Sequence, residues 1–214
     1  MAPQTNILDH ILHLSPPGKL SEAITHWEQL GFKVIPGGTH DTGLSSNALV
    51  PLADGVYIEL IALEKPTAEP PESESWWANK RPGWITWVCL GLEDHIDEII
   101  AKREKEFNSG VEYQKGYDGG RKGENDGRQL RWRVTRRQYG LDIVPFFCLD
   151  LTPRDWRVPA ADLDTHANTA VGIAYFHLMV PQAQLDQARV QLSVVLDSQP
   201  NESDEWEMVA LESF

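Results

Sequence analysis

The stretch His40 to Leu63, HDTGLSSNALVPLADGVYIELIAL, decides how this chain folds. Its apolar content and turn residues predict two strands, Asn47 to Leu52 and Val56 to Leu63, joined through Ala53-Asp54-Gly55, where Asp-Gly supplies a tight hairpin turn. One carboxylate, Glu59, stands inside the second strand among Tyr57, Ile58, Leu60 and Ile61. A strand able to cover both faces with apolar side chains gains nothing from a buried carboxylate unless that group meets a metal, a proton or a cation. Glu59 is therefore the first functional candidate.

Upstream, Ile7 to Leu14 (ILDHILHL) reads as a strand, although the apolar run by itself also suits a buried helix. Ser15-Pro16-Pro17-Gly18 ends it. Leu20, Ala23, Ile24, Trp27 and Leu30 then recur at helical spacing, with Gly31 placed to terminate the helix. Phe32 to Ile35 and the Pro36-Gly37-Gly38 turn lead into the hairpin. The order is strand, helix, three strands.

Downstream the order repeats. Glu64 to Arg81, rich in Pro, Glu and Ser, predicts a linker, with Trp76-Trp77 docking on the body. Trp84 to Leu90 predicts a strand, and Glu93 to Phe107 a helix burying Ile96, Ile99, Ile100 and Phe107. Strands are expected at Val111 to Tyr113, Gln129 to Arg136 and Leu141 to Leu151, with Gly116 to Gly127 as a mobile loop. Beyond Pro159, a strand over Gly172 to Val180, a helix over Gln182 to Leu196 and a strand over Trp206 to Leu211 form a partial third unit. The expected architecture is α+β: residues 1–152 hold two βαβββ modules (about 7–63 and 84–151), and 153–214 a partial βαβ module. Half a module leaves a strand edge that needs covering. It either lies over the body as a lid or pairs with a second chain in a homodimer.

Composition bounds the function. A formal charge of -13, from 19 Lys+Arg against 32 Asp+Glu, argues against nucleic acid and anionic membrane partners, which rely on basic side chains. Small molecules and other proteins remain. No basic leader is visible and no apolar run approaches the about 18 residues that span a bilayer, so a cytoplasmic location is expected. Cys89 and Cys148, embedded in apolar runs, suit neither a disulfide framework nor a zinc knuckle. Motifs for a hydrolase elbow, a zincin, a P-loop or a dinucleotide fold are absent.

The repeated unit, with Leu8-Asp9-His10 on its first strand and Tyr57-Ile58-Glu59-Leu60 on its fourth, resembles the vicinal oxygen chelate superfamily. Gly38-Thr39-His40, Ser46-Asn47-Ala48-Leu49, Pro145-Phe146-Phe147 and His166-Ala167-Asn168 are similar to its glyoxalase-like branch. The likeness spans about residues 7 to 180. It implies paired modules whose sheets curve into a cup holding a divalent metal (Mn, Fe, Ni, Co or Zn), with His10 and Glu59 as ligands and open positions for vicinal substrate oxygens. Strand alternation agrees, placing Leu8, His10 and Leu12 on one face and Tyr57, Glu59 and Ile61 on one face. The second module offers no His, Glu or Gln at the centres of its corresponding strands. The metal is then completed elsewhere, with His40 and His13 as candidates, or the cup is metal-free.

The expected activity is a metal-assisted lyase or isomerase on a small oxygenated metabolite, with Glu59 and His40 catalytic. Two alternatives stand beside it: a metal-free binding protein that sequesters a hydrophobic molecule, and a cofactor-free acid–base cyclase or isomerase. Asn47, Arg131, Trp87, Trp132 and Phe147 are candidate substrate contacts. Each also has an ordinary reading. His10 and Glu59 form equally a buried pair fixing register, His40 a loop histidine, and Asn47 an amide bonding nearby backbone. Arg131 with Arg133 suits a solvated strand face, and the aromatic residues suit core packing. Cys148 reads as an inert buried thiol.

Overall fold

The computed structural model describes residues 4–66, 76–123, 127–162 and 164–209. Residues 67–75 of the expected linker and 210–211 of the expected last strand lie outside them. The first module comprises β1 (Leu8–Leu14), α1 (Leu20–Gln29), β2 (Ile35–Thr39), β3 (Ser45–Pro51) and β4 (Tyr57–Leu63). The second comprises β5 (Gly83–Leu90), α2 (Ile96–Phe107), β6 (Glu112–Tyr113), β7 (Tyr117–Lys122), β8 (Gln129–Thr135), β9 (Arg137–Tyr139) and β10 (Phe146–Asp150). A short α3 (Arg154–Arg157) and a longer α4 (Leu185–Leu196) follow.

Eight strands form one sheet in the order β2-β3-β4-β1-β5-β10-β8-β7, while β6 and β9 pair separately. Each module's first strand runs parallel to its last, and the two first strands meet antiparallel at the centre. The two halves of the sheet thus mirror one another. At the far ends a bridge between His40 and Arg121, with Asp41 N–H donating to Gly120 O at 2.9 Å, brings the edges together. The result is the α+β cup expected from the sequence.

The hairpin forms as its residues dictate. Gly55 takes φ +80°, where a side chain would be strained, and Asp54 Oδ1 accepts from Val56 N–H at 3.0 Å. Every residue of β4 is buried, so Glu59 lies in a strand covered on both faces. On the outer side of the first module, Leu20, Ile24 and Trp27 of α1 pack with Val50, Ile58 and Leu60. Behind the second module, α2 inserts Ile96 and Ile100, and α4 inserts Leu192 and Val195, over Trp87, Cys89 and Phe147. Phe107, expected on the buried side, is exposed at the end of α2.

Four expectations of the strands need correction. In place of a short strand over 32–35 and a turn over 36–38, β2 begins at Ile35 and runs through Pro36-Gly37-Gly38. The Gly116 to Gly127 stretch is not a loop throughout, because Tyr117–Lys122 is β7, the strand that completes the cup. Its glycines allow close approach: a Cβ on Gly119 would lie 2.9 Å from Trp132 Nε1, and one on Gly120 2.6 Å from Leu130 O and 2.7 Å from Asp41 Oδ2. Residues 172–180 form no strand. They run alongside the body with Ile173 and Phe176 packed against the core while Tyr175 and Met179 are exposed. Of the strand expected over 206–211, the described residues show one β-bridge, between Val209 and Ile7.

Candidate functional site

The cup encloses a cavity of about 300 Å³. Its first-module wall is polar: His10 from β1, Asn47 from β3, Glu59 from β4, and His40 from the β2–β3 connection all line it. Burial of these groups is uneven. His10, Asn47 and Glu59 are buried, and His40 is half-buried.

A bulge shapes the centre of the site. Between β1 and β5 the register shifts at Leu8/His10, where Leu8 pairs with Cys89 and His10 with the adjacent Val88. A bulge re-aims side chains. Leu8 therefore joins the core behind the sheet, contrary to simple alternation, and Asp9 Oδ2 reaches His10 Nδ1 at 2.8 Å. Asp9 is fully buried and bound by two guanidiniums: Arg154 Nη1 at 2.6 Å from Oδ1, and Arg157 Nη1 at 3.1 Å from Oδ2. Arg157 also donates to Tyr57 OH at 2.6 Å and to Asp150. Burial opposes a charged Asp9, but Arg157, Arg154 and His10 outweigh it and hold the carboxyl well below its ordinary value.

An ionised Asp9 accepts only, so His10 donates from Nδ1 and presents Nε2 to Glu59 Oε2 across 3.4 Å. The second oxygen of Glu59 accepts from Asn47 Nδ2 at 2.6 Å. Burial would raise the Glu59 pKa, yet the His10 hydrogen bond and charge, with His40 and Asn47, bring it down to about 2. Burial likewise disfavours charge on His10, but Asp9 and Glu59 hold its pKa above the usual value. The Tyr57 ring stacks on the imidazole at 4.5 Å and fixes its plane.

The second-module wall is different in kind. His10 pairs with Tyr57 across β1 and β4, and Val88 with Phe146 across β5 and β10; two residues on from each lie Glu59 and Cys148. Val88 and Cys148 thus occupy the places that His10 and Glu59 hold in the first module. Phe146, Trp132, Tyr117 and Trp76 complete this wall.

Of the candidate substrate contacts, Asn47, Arg131 and Trp132 line the cavity, with Arg131 at the rim in a 3.0 Å pair with Asp41. Trp87 and Phe147 do not. Trp87 donates from Nε1 to Ile143 O at 2.8 Å and packs on Phe176, and Phe147 packs on Tyr113, both in the core behind the sheet. Neighbouring Phe146 faces the cup in place of Phe147. His13 points outward between Trp27 and Trp84 and is no partner for His10. The sequence reading missed Asp9, Tyr57 and Arg157; the Asp-His dipeptide and the shared parity of Tyr57 with Glu59 were signals for two of them.

A glyoxalase-like domain model matches residues 8–194. The chain belongs to the glyoxalase-like domain family. That family lies within the vicinal oxygen chelate superfamily. A hypothetical protein from Staphylococcus aureus has a similar structure, with TM-score 0.51 and 19% identity over 70% of this chain and 61% of that one. The glyoxalase-like chain therefore spans about three fifths of that protein's length. Methylmalonyl-CoA epimerase from Mycobacterium tuberculosis aligns with TM-score 0.45 and 18% identity over 72% of this chain and 93% of that one. A xylose isomerase-like TIM barrel/4-hydroxyphenylpyruvate dioxygenase fusion protein aligns with TM-score 0.47 and 15% identity over 92% and 28%. No curated protein matches the chain. No helix among the described residues is long and apolar enough to cross a membrane.

A glyoxalase-like fold implies a divalent ion, and the donors present can be tested against it. Among the described residues, Asp9, His10 and Cys148 are buried with ligand atoms within 4.8 Å of one another. Two guanidiniums already neutralise Asp9, and burial pushes the Cys148 thiol well above its ordinary pKa. His10 and Glu59 fit better. Their Nε2 and Oε2 lie 3.4 Å apart, and the imidazole and carboxylate together would hold the ion. Asp9 behind His10 and Asn47 behind Glu59 supply the outer hydrogen bonds that orient metal ligands.

Proposed function

We propose that this chain is a metal-assisted isomerase or lyase for a small oxygenated metabolite, with His10 and Glu59 holding a divalent ion of the Mn, Fe, Ni, Co or Zn group. The observation that carries this reading is that His10 Nε2 and Glu59 Oε2 face each other across 3.4 Å while their opposite atoms are engaged by Asp9 and Asn47. A neutral imidazole and a carboxylate suit these metals.

An ion held there supplies Lewis-acid stabilisation of charge developing on a substrate oxygen. His40 moves the proton. Its Nδ1 lies 2.7 Å from Ser45 Oγ, and donation from Nδ1 makes Nε2 the basic nitrogen. For a substrate with a hydroxyl next to its carbonyl, Nε2 takes the proton from the hydroxyl-bearing carbon, and the electrons of that C–H bond form the C–C double bond as the carbonyl π electrons move to oxygen. His40 then returns the proton to the former carbonyl carbon while the hydroxyl proton crosses between the two oxygens. Isomerisation by this route leaves the net proton count unchanged.

Elemental mass spectrometry on protein purified without chelators tests the reading, with His10→Ala and Glu59→Ala in parallel. Near-stoichiometric metal in the wild type, lost in both variants, is expected. No metal in the wild type, even after soaking with each of the five ions, would sink it. A second reading rests on the same pair: a protonated His10 against an ionised Glu59 is a complete ion pair without a metal, as the raised and lowered pKa values favour. The cup then serves a cofactor-free acid–base isomerase or a sequestering protein, and turnover by metal-stripped protein distinguishes the first of these.

A further inference from the structure

The two modules are alike in fold but have divided their labour. His10, Asn47, Glu59 and His40 of the first module give the cup hydrogen-bonding and ionisable groups, while Phe146, Trp132 and Tyr117 of the second, with Trp76 just before it, add rings beside the rim residue Arg131. The rings begin beside the chemistry. Phe146 meets the His10 ring edge-on at 6.0 Å, and Trp132 meets the His40 ring at 5.9 Å. Trp76 continues the wall against Phe146 at 5.2 Å, and Tyr117 of β7 pairs with Val134 of β8. All four rings line the same cavity as Glu59.

Taking the site assignment proposed above as its basis, we infer that the substrate carries an aromatic ring within one or two bonds of its oxygenated head. Placement sets the first part of this inference. A head at His10 and Glu59 has Phe146 and Trp132 as its neighbours on the opposite wall, so an attached group enters the ring-lined half at once. Size sets the second. A cavity of about 300 Å³ is at the small end of ligand pockets, enough for a monocyclic arene with its head. Chemistry sets the third. The edge-to-face contacts already present around Phe146 and Trp132 are those an added arene extends, whereas a methyl group leaves the wall unfilled. Trp132 is the specificity-determining residue, because it bridges the His40 side of the cup to the aromatic wall.

The test compares pyruvate with benzoylformate, which share a 2-oxo acid head and differ in methyl against phenyl. Binding of each is measured by titration calorimetry on the full chain, both Mn-loaded and metal-stripped. Benzoylformate is expected to bind about tenfold or more tightly than pyruvate. Trp132→Leu should cut that advantage to about threefold or less, Trp132→Phe should keep most of it, and Trp84→Leu on the outer face should change neither acid. Equal affinity for the two acids, no binding of either at millimolar concentration, or an advantage that survives Trp132→Leu would overturn the inference. The metal reading fails separately. If Mn alters the affinity of neither acid while the phenyl preference and its loss in Trp132→Leu persist, the aromatic specificity stands and the metal assignment falls.

Discussion

His10 Nδ1 and Asp9 Oδ2 lie 2.8 Å apart although they belong to consecutive residues of one strand. In a regular strand these side chains would point to opposite faces. The bulge at Leu8/His10 turns Asp9 toward its neighbour, and Arg157, 148 residues away in sequence, locks it there. One irregular residue thus sets the tautomer of the central imidazole. It also ties the site to α3, beyond the end of the second module.

Removing Arg157 should be costly. Its guanidinium is buried against Asp9, Asp150 and the Tyr57 hydroxyl, and deleting one partner of such a network leaves buried charge uncompensated. Arg157→Ala is expected to lower unfolding free energy by about 3–5 kcal/mol in urea titrations. A loss under about 1 kcal/mol would show that Arg154 alone suffices for Asp9.

The pH dependence of stability should change sign with metal. Without metal, the raised His10 pKa contributes stability that is present below its unfolded value and is lost as pH rises through the folded value. Glu59, lowered to about 2, keeps its contribution above its unfolded value and loses it only as pH falls through about 2. Urea midpoints of chelator-treated protein should therefore contain a His10 component that is full below the ordinary histidine pKa and declines as pH rises above it. With saturating Mn the same component should rise over that range, because metal binding requires deprotonated His10. His10→Gln should remove both components.

His166 is a structural clamp, and its loss should be read in stability alone. Nδ1 accepts from Lys33 N–H at 2.9 Å and Nε2 donates to Pro51 O at 2.8 Å, joining the α1–β2 connection to the end of β3. Nearby, Asn168 Nδ2 donates to Leu30 O at 2.9 Å, satisfying a carbonyl at the helix terminus. Replacing a buried histidine that makes two hydrogen bonds should cost about 2–4 kcal/mol. His166→Ala is expected to show this in thermal unfolding while metal content at low temperature is unchanged.

Adjacent phenylalanines should behave oppositely. Phe147→Leu, in the core behind the sheet, is expected to cost about 1 kcal/mol of stability and to leave small-molecule binding intact. Phe146→Leu, on the cup wall, should weaken benzoylformate binding more than pyruvate binding. Equal effects of the two substitutions on binding would contradict the assigned strand parity.

Much of the first module was legible because its determinants are local. The Asp54-Gly55 turn fixes the β3–β4 hairpin, helical spacing fixes the buried side of α1, and an isolated carboxylate in YIELIAL marks Glu59 as a residue facing something polar. The repeat of strand, helix and strands also emerged from periodicity, whereas the cup was implied by the family resemblance. Tertiary pairing decided the rest. The Gly-rich β7 has low strand propensity and forms because β8 beside it and Asp41 across the closing edge require backbone without side chains. The choice of Phe146 over Phe147 depends on register with β5, which no local pattern sets. Residues 172–180 are apolar enough for a strand but meet no strand edge, since their neighbours are helices and side chains of the core. Asp9 and Arg157 became visible only through a bulge and a contact between distant segments. Local sequence supplied the groups; long-range register and closure determined which of them share the cup.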